Sequence, residues 1–439
     1  MAEARAGLME HGQFLPKVRA QYELLPYPPV DPQDEKKRLQ QTWTESLPMV
    51  NHYCFRGRQN FRQGFRALVA GGGTGDATIY LAEQLRHTDA EIVHLDLSTA
   101  SIGIAQERAA IRGLKNIRWV HDSLLRLPEL DLGRFDYINC SGVLHHLADP
   151  DAGLQALRSV LKDDGAMGIM VYGAVGRTAI YHIQKMLRLA NGALEAPEQI
   201  AHAREMLKQL PPTNQLKRYE DLFGHEWQNS DSGLFDLLLH TQDRAYTVEE
   251  LYAWLVDQRG FHLELTDVHR GHFPYLPSMT LAADASRSRA LLKDMPLRAQ
   301  QAMSELMLGD LITHSFYLTR PGATAPYGDA DYVPFIYHEP LPPQTLEQIF
   351  TARNGAQRIT LAHPFLGLKV EIDPGKYSAR ILRHIDGKRT FGEIFDIVRS
   401  EFRAAPPDNA TLFADFRESF DCLNAIERLL LRHKDCQPL

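Results

Sequence analysis

The sequence predicts a doubly wound α/β fold, a seven-stranded sheet with a helical insertion and a small α+β domain at the carboxy terminus. Three observations carry this reading. Short apolar runs at 67–70, 91–95, 117–120, 137–140 and 168–171 alternate with helical stretches, and strands spaced by about 20 to 30 residues read as βαβ units of a parallel sheet. The alternation stops after Tyr172, and residues 177–258 read as mostly helical before strand signals return at 261–268 and 314–319. A proline- and glycine-rich stretch at 321–328 then reads as a linker, the kind of boundary at which domains separate.

Residues 1–60 mix charge, proline and aromatics around 22–29. Proline disfavours helix there, so the segment is expected to be an extended or turning cap and not part of a core. The main domain is expected over residues 61–320, with Thr247 to Glu250 as a capping box opening the last helix of the insertion. A helix over 289–308 separates the last two strands, which close the sheet with an antiparallel edge. Residues 330–439 form the accessory domain, with strand-like pieces at 358–361 and 368–372 followed by helices.

The 439 residues provide for about two to three folded units. With 44% hydrophobic and 23% charged residues the composition is that of a packed globular protein. A formal net charge of −7 argues against nucleic acid as a partner. Cys54, Cys140, Cys422 and Cys436 are scattered, with no CxxC pair. They read as free thiols in a reducing cytoplasm, and no metal site is expected. The amino terminus lacks a signal-like pattern and no stretch approaches the roughly 18 apolar residues of a membrane span. A cytoplasmic protein with no membrane partner is expected.

The first strand runs into Gly71, Gly72, Gly73, Thr74 and Gly75, and a helical pattern begins at Asp76. Glycines permit a sharp turn with close approach to a ligand, and a helix N-terminus favours negative charge. The dinucleotide fingerprint requires glycine where Asp76 stands, which disfavours nicotinamide cofactors. The GxGxG spacing instead resembles the first motif of class I S-adenosylmethionine-dependent methyltransferases, and the resemblance extends over residues 66–172. It implies a Rossmann-like methyltransferase sheet, S-adenosylmethionine as cofactor and S-adenosylhomocysteine as product. It places the glycine turn and Asp76 at the methionine part. Asp96, with Leu97 beside it, falls at the ribose hydroxyls, where a carboxylate can accept two bonds, and Asp122 and Ser123 lie at the adenine. The segment 139–146, with Ser141, runs beneath the cofactor and borders the acceptor pocket. The family commonly carries an acid two residues before the first glycine, where this chain has Val69. Backbone carbonyls of Ala70 or Gly71, or the side chain of Asp76, are then left to seat the methionine ammonium.

Methyl transfer from a sulfonium is an in-line displacement, so alignment and exclusion of water dominate. A hydroxyl or ammonium acceptor must also lose a proton. His145, His146 and Tyr22 are the candidate catalytic residues, with one histidine capping a helix and the other packing as the alternative. The Asp/Asn-Pro-Pro-aromatic motif of amino-group methyltransferases is absent, which disfavours adenine and glutamine acceptors. Residues 22–28 and 239–246 resemble lid-bearing bacterial methyltransferases, including protein-lysine methyltransferases of rickettsial outer-membrane proteins. That resemblance places Tyr22 and Tyr27 over the cofactor. Tyr27, Tyr172, His240, Asp243 and Arg244 become candidate substrate-binding residues, unless Asp243 and Arg244 form a surface ion pair. Residues 379–394 resemble the small winged-helix-like peptide-binding domains of the pyrroloquinoline-quinone peptide chaperone type, in which Asp386 and Gly387 would make the turn between helices. Such domains offer a sheet edge to an extended peptide, while homodimer formation or packing is the other use of such a tail. The expected function is methylation of a protein side chain, peptide or small metabolite. A non-catalytic cofactor-binding scaffold and an RNA methyltransferase are the alternatives.

Overall fold

The structure is a computed structural model that describes residues 16–191, 194–218, 227–266, 275–277, 281, 285–337, 359–362, 369–372, 374–402 and 405–436. The main strands are β1 (Arg66–Ala70), β2 (Glu91–Asp96), β3 (Ile117–His121), β4 (Phe135–Ser141), β5 (Leu161–Gly173), β6 (Ala245–Tyr246), β7 (His262–Leu265) and β8 (Thr313–Thr319). They form one sheet in the order β3-β2-β1-β4-β5-β8-β7, with β6 against β5. The first five pair in parallel, and β7 pairs antiparallel with β8. The predicted doubly wound α/β fold is therefore present. The strand signal at 261–268 shrinks to 262–265, and residues 267 and 268 lie outside the described ones.

Most residues of β1, β2 and β4 are buried, as expected of parallel strands covered on both faces. The chain moves outward from β1 through β2 to β3 and then returns to place β4 on the other side of β1. That reversal opens a crevice at the carboxyl ends of β1 and β4, the usual ligand position in such sheets.

The chain divides into two compact units. The first comprises Met1–Glu45, Phe61–Thr247 and Asp310–His314. Its helices include α1 (Pro16–Leu24), α3 (Asp76–Gln84), α4 (Thr99–Arg112), α5 (Pro150–Ser159), α6 (Thr178–Asn191), α7 (Ala196–Lys208) and α8 (Asp231–Leu234), while α2 (Leu47–Cys54) belongs to the second. Local chemistry sets their ends. Ser98 accepts the Ser101 N–H to open α4, and Gly113 closes it at φ 67°. Asp149 accepts from Asp151 and Ala152 ahead of Pro150 to open α5.

The second unit comprises Ser46–Asn60, Val248–Gly309 and Ser315–Leu439. It contains α9 (Val248–Leu251), α10 (Ser286–Lys293), α11 (Leu297–Leu308), β9 (Tyr332–Ile336), β10 (Ile359–Ala362), β11 (Lys369–Ile372), α12 (Ser378–Arg383), α13 (Phe391–Ser400), α14 (Asn409–Ala425) and β12 (Leu429–His433). Its core includes Ile381, Phe391, Phe395, Val398 and Phe416. Asp386 accepts from the N–H groups of Lys388 and Arg389 and Gly387 has φ 70°, which makes the turn between α12 and α13. Residues 358 and 368 of the strand-like pieces lie outside the described ones.

Two expectations are corrected. Residues 16–24 and 47–54 are helical, and Pro48 stands in the first turn of its helix, where a missing N–H costs nothing. Leu47, Met49, Val50 and Tyr53 are buried, so this stretch contributes to a core. The insertion is helical but is broken by β6, a two-residue strand too short to carry a period.

Candidate active site

All the candidate site residues lie in the first unit. The glycine turn follows β1 and is tied to β2, since the N–H groups of Gly71 and Gly72 donate to the Leu95 carbonyl at 2.8 and 3.1 Å. Gly73 N–H donates to Asp96 Oδ2 at 2.7 Å. These three donors therefore shape the turn and do not point at a ligand. Gly73 has φ 52°, and a Cβ there would lie 2.7 Å from the Tyr27 carbonyl oxygen. A Cβ on Gly72 would meet the ring of His94 at 2.3 Å. Glycine is thus required by close approach at both positions.

Asp96 closes β2 with its second oxygen, Oδ1, accepting from Ser98 N–H at 2.8 Å. Burial raises its pKa against the pull of these backbone N–H groups. One lone pair per oxygen remains for a ligand. Leu97 accepts from His121 Nε2 at 2.9 Å. Asp122 receives the Ser123 N–H at 2.7 Å and pairs with Arg126 at 3.0 Å. Ser123 accepts from Leu125 N–H, opening a short helical turn. Ser141 Oγ accepts from Asn139 at 2.9 Å. Asp76 is occupied by Arg108 at 2.7 Å, and the same guanidinium reaches the Thr74 carbonyl and Glu35.

A second group gathers beyond β4 and β5. His145 is fully buried, its ring stacked on Tyr172 at 3.7 Å, and neither of its ring nitrogens has a hydrogen-bond partner. Arg177 lies 3.5 Å from the centre of the same tyrosine ring. His146 stacks on His240 at 3.9 Å, and its Nδ1 lies 3.0 Å from the Gln242 carbonyl. A carbonyl only accepts, so the proton of the neutral ring sits on Nδ1 and Nε2 keeps its lone pair. His240 has the opposite tautomer, because its Nδ1 accepts from Gln242 N–H at 3.1 Å. Tyr22 and Tyr172 both donate to Asp236, at 2.9 and 3.1 Å.

Burial lowers the pKa of all three histidines, with mutual repulsion and Arg177 adding to it for His145. They are neutral near pH 7. Burial and the Asp236 charge push the Tyr22 phenol up. Donor atoms of His146, Asp236 and His240 lie within 4.8 Å of one another, a spacing that a metal ion could bridge. The His240 tautomer opposes this. Its proton occupies Nε2, and freeing that nitrogen would place a proton on Nδ1 against the Gln242 N–H. Tyr22, Tyr172 and Asp236 form a hydrogen-bonded set, with the rings of His146 and His240 stacked beside it.

The structure places Tyr22, His145, His146, Tyr172 and His240 next to one another. Asp243 and Arg244 do not form a surface ion pair. Asp243 is buried against Arg177 at 3.6 Å and Gln184 at 2.9 Å, while Arg244 lies over the Tyr246 ring at 4.7 Å. Tyr27 approaches the glycine turn through its backbone. Asp236 and Arg177 escaped the sequence reading. Arg177, a charge four residues after β5 on a segment otherwise apolar and small, was the one available signal.

A parallel sheet that reverses at β1 and β4, with a glycine turn before a helix and a carboxylate closing the second strand, defines a nucleoside-binding α/β enzyme. Residues 68–167 match the methyltransferase domain family model. An uncharacterized protein of Synechococcus sp. is 36% identical over 241 residues, 54% of this chain and 57% of that protein. This chain thus spans a little over half of that relative's length. A ubiquinone/menaquinone biosynthesis C-methyltransferase of Idiomarina loihiensis is 24% identical over 40% of this chain and 73% of its own. The solved structure of PKMT2 from Rickettsia typhi in complex with AdoHcy shares the fold, with 16% identity, 93% of this chain and 77% of that chain covered, and a TM-score of 0.56. Residues 68–167 belong to the class I S-adenosylmethionine-dependent methyltransferases, and S-adenosylmethionine is the cofactor of this domain. Among the described residues no helix is long and apolar enough to cross a membrane.

Proposed function

We propose that this chain methylates a hydroxyl or amino group of a protein side chain, peptide or small metabolite, with His146 as the proton acceptor. The observation that carries this reading is the His146 tautomer: Nδ1–H is committed to the Gln242 carbonyl, and Nε2 is left as an uncommitted lone pair on a neutral, largely buried ring. A base must be unprotonated at working pH, and burial keeps it so. S-adenosylmethionine supplies a methyl group already activated on a sulfonium and leaves as the thioether. The acceptor lone pair attacks in line, and its proton passes to His146 Nε2. Asp236, held by Tyr22 and Tyr172, then faces the charge that develops on the imidazole. The buried aromatic rings of Tyr172, His145 and His240 exclude water from the transfer.

The test is transfer of labelled methyl from S-adenosylmethionine to fractionated lysate protein, peptides and metabolites, for wild type and His146→Gln. The variant should retain cofactor binding and lose roughly 100-fold or more in kcat, the range of general-base contributions. Undiminished turnover by the variant at every pH would refute the assignment of the base. Labelling of RNA alone would move the acceptor to another class.

A further inference from the structure

Glu45 is a carboxylate without a cation. Its side chain is 2% exposed, and its Oε1 accepts from the Thr44 hydroxyl and the Asn139 amide, both neutral. No Lys, Arg or His among the described residues pairs with it, and the nearby charge of Asp76 repels it. A buried carboxylate is costly unless a positive charge answers it. Two other buried acids of this unit do have such partners, Glu35 in Arg108 and Arg112 and Asp243 in Arg177, while Asp236 accepts from the hydroxyls of Tyr22 and Tyr172.

Its position indicates which cation it could answer. Val69 of β1 is in register with Asn139 of β4, so the two side chains share a sheet face. Residues 44 and 45 cross that face, with the Thr44 carbonyl receiving the Tyr137 hydroxyl and the Glu45 carbonyl receiving Gln84 Nε2 at 2.9 Å. The Glu45 carboxylate is thus bonded to the side chain in register with Val69, two residues before the glycine turn. The Asn139 amide links it to Ser141 Oγ at 2.9 Å, at the carboxyl end of β4 where the crevice opens. Of the other acids at the turn, Asp76 is already paired with Arg108 and Asp96 accepts from the N–H groups of Gly73 and Ser98.

We propose that Glu45 is a cofactor-binding residue, its carboxylate holding the ammonium of the methionine part of S-adenosylmethionine in the place that β1 fills with Val69. The assignment rests on the cofactor identified above and adds the residue that reads its cationic end. The segment before α2 thereby becomes part of the cofactor site.

Calorimetry on the full chain separates the two readings. Wild type is titrated with S-adenosylhomocysteine, with its deaminated analogue and with 5′-methylthioadenosine, which has the nucleoside and thioether but no amino acid. Glu45→Gln should bind S-adenosylhomocysteine at least about tenfold more weakly, the loss of one charged hydrogen bond, while its affinity for 5′-methylthioadenosine stays within about twofold of wild type. Wild type itself should prefer S-adenosylhomocysteine over the deaminated analogue by a similar factor, a measurement that needs no variant. Equal losses for both ligands in the variant, unchanged binding of S-adenosylhomocysteine, or no preference for the amino group by wild type would each overturn the proposal. Failure of wild type to bind any of the three ligands would instead strike at the cofactor itself.

Discussion

Asp96→Asn tests whether one carboxylate both shapes the glycine turn and holds the ribose. Its two oxygens accept from Gly73 N–H at 2.7 Å and Ser98 N–H at 2.8 Å. An asparagine has one acceptor oxygen and one NH2 group, so in either orientation a donor faces one of these backbone donors. One charge-assisted bond is lost and one partly buried N–H is orphaned, together about 2–3 kcal/mol of stability in the ligand-free protein. At about 2–4 °C per kcal/mol for a unit of this size, the melting temperature should fall by roughly 4–12 °C. The ribose hydroxyls lose a charged acceptor as well, a further 1.5–3 kcal/mol or roughly 10- to 150-fold in Kd for S-adenosylhomocysteine. Thermal denaturation without ligand and calorimetry with it read the two effects separately. A lowered melting temperature with unchanged Kd would leave Asp96 as a turn anchor only, and an unchanged melting temperature would refute the anchoring argument.

Gly73→Ala should destabilise by about 1–3 kcal/mol, because alanine at φ 52° is strained and its Cβ lies 2.7 Å from the Tyr27 carbonyl; a wild-type melting curve would refute this. Arg177→Met should cost about 3–5 kcal/mol by leaving Asp243 buried with no cation. Adding Asp243→Asn should recover much of the loss, and a double variant no better than the single one would show that the pair is not coupled. His52 and His94 are each held down to about 4 by burial, from 6.5. A depressed folded-state pKa gives stability that is complete above about pH 6.5 and lost as pH falls towards 4, about 3 kcal/mol for each ring. Melting temperatures that do not drop between pH 7 and pH 4.5 would exclude neutral buried rings.

What the sequence disclosed depended on the range of the interaction that fixes each feature. The ends of β1, β2 and β4 were legible because parallel strands buried on both faces leave apolar runs that stop at glycine or aspartate. Asp96 could be placed because its role is local to the turn it closes. Glu45 was not legible, because nothing near residue 45 signals that it crosses to Asn139 in a strand some 90 residues later. Asp236 was hidden for the same reason, since its partners Tyr22 and Tyr172 lie 214 and 64 residues away. The helix at 47–54 is hidden in the sequence because Pro48 argues against helix, although in the first turn it is compatible with one.

The last prediction concerns the carboxy-terminal region, where the linker at 321–328 suggests a clean place to cut and the packing argues otherwise. Within the second unit, α2 packs against β12. Leu431 N–H donates to His52 Nδ1 at 2.9 Å, His433 N–H to the Gly57 carbonyl at 2.8 Å, and the Tyr332 hydroxyl to the Arg56 carbonyl at 2.8 Å. A Cβ on Gly57 would come within 2.9 Å of Arg432 Cα, which shows how closely the two backbones approach. Deletion from residue 328 removes β9 to β12 and α12 to α14, strips these partners from residues 52–57 and uncovers the side of α2 that β12 covers. Apolar surface of that kind drives association. A protein ending at residue 327 should therefore aggregate, or melt well below the full chain, even though the parallel strands and the glycine turn remain. Size-exclusion chromatography and thermal denaturation on both proteins decide it. A truncated protein that is monomeric, melts with the full chain and binds S-adenosylhomocysteine with the same Kd would show that α2 does not depend on β12 and that the linker is a true boundary.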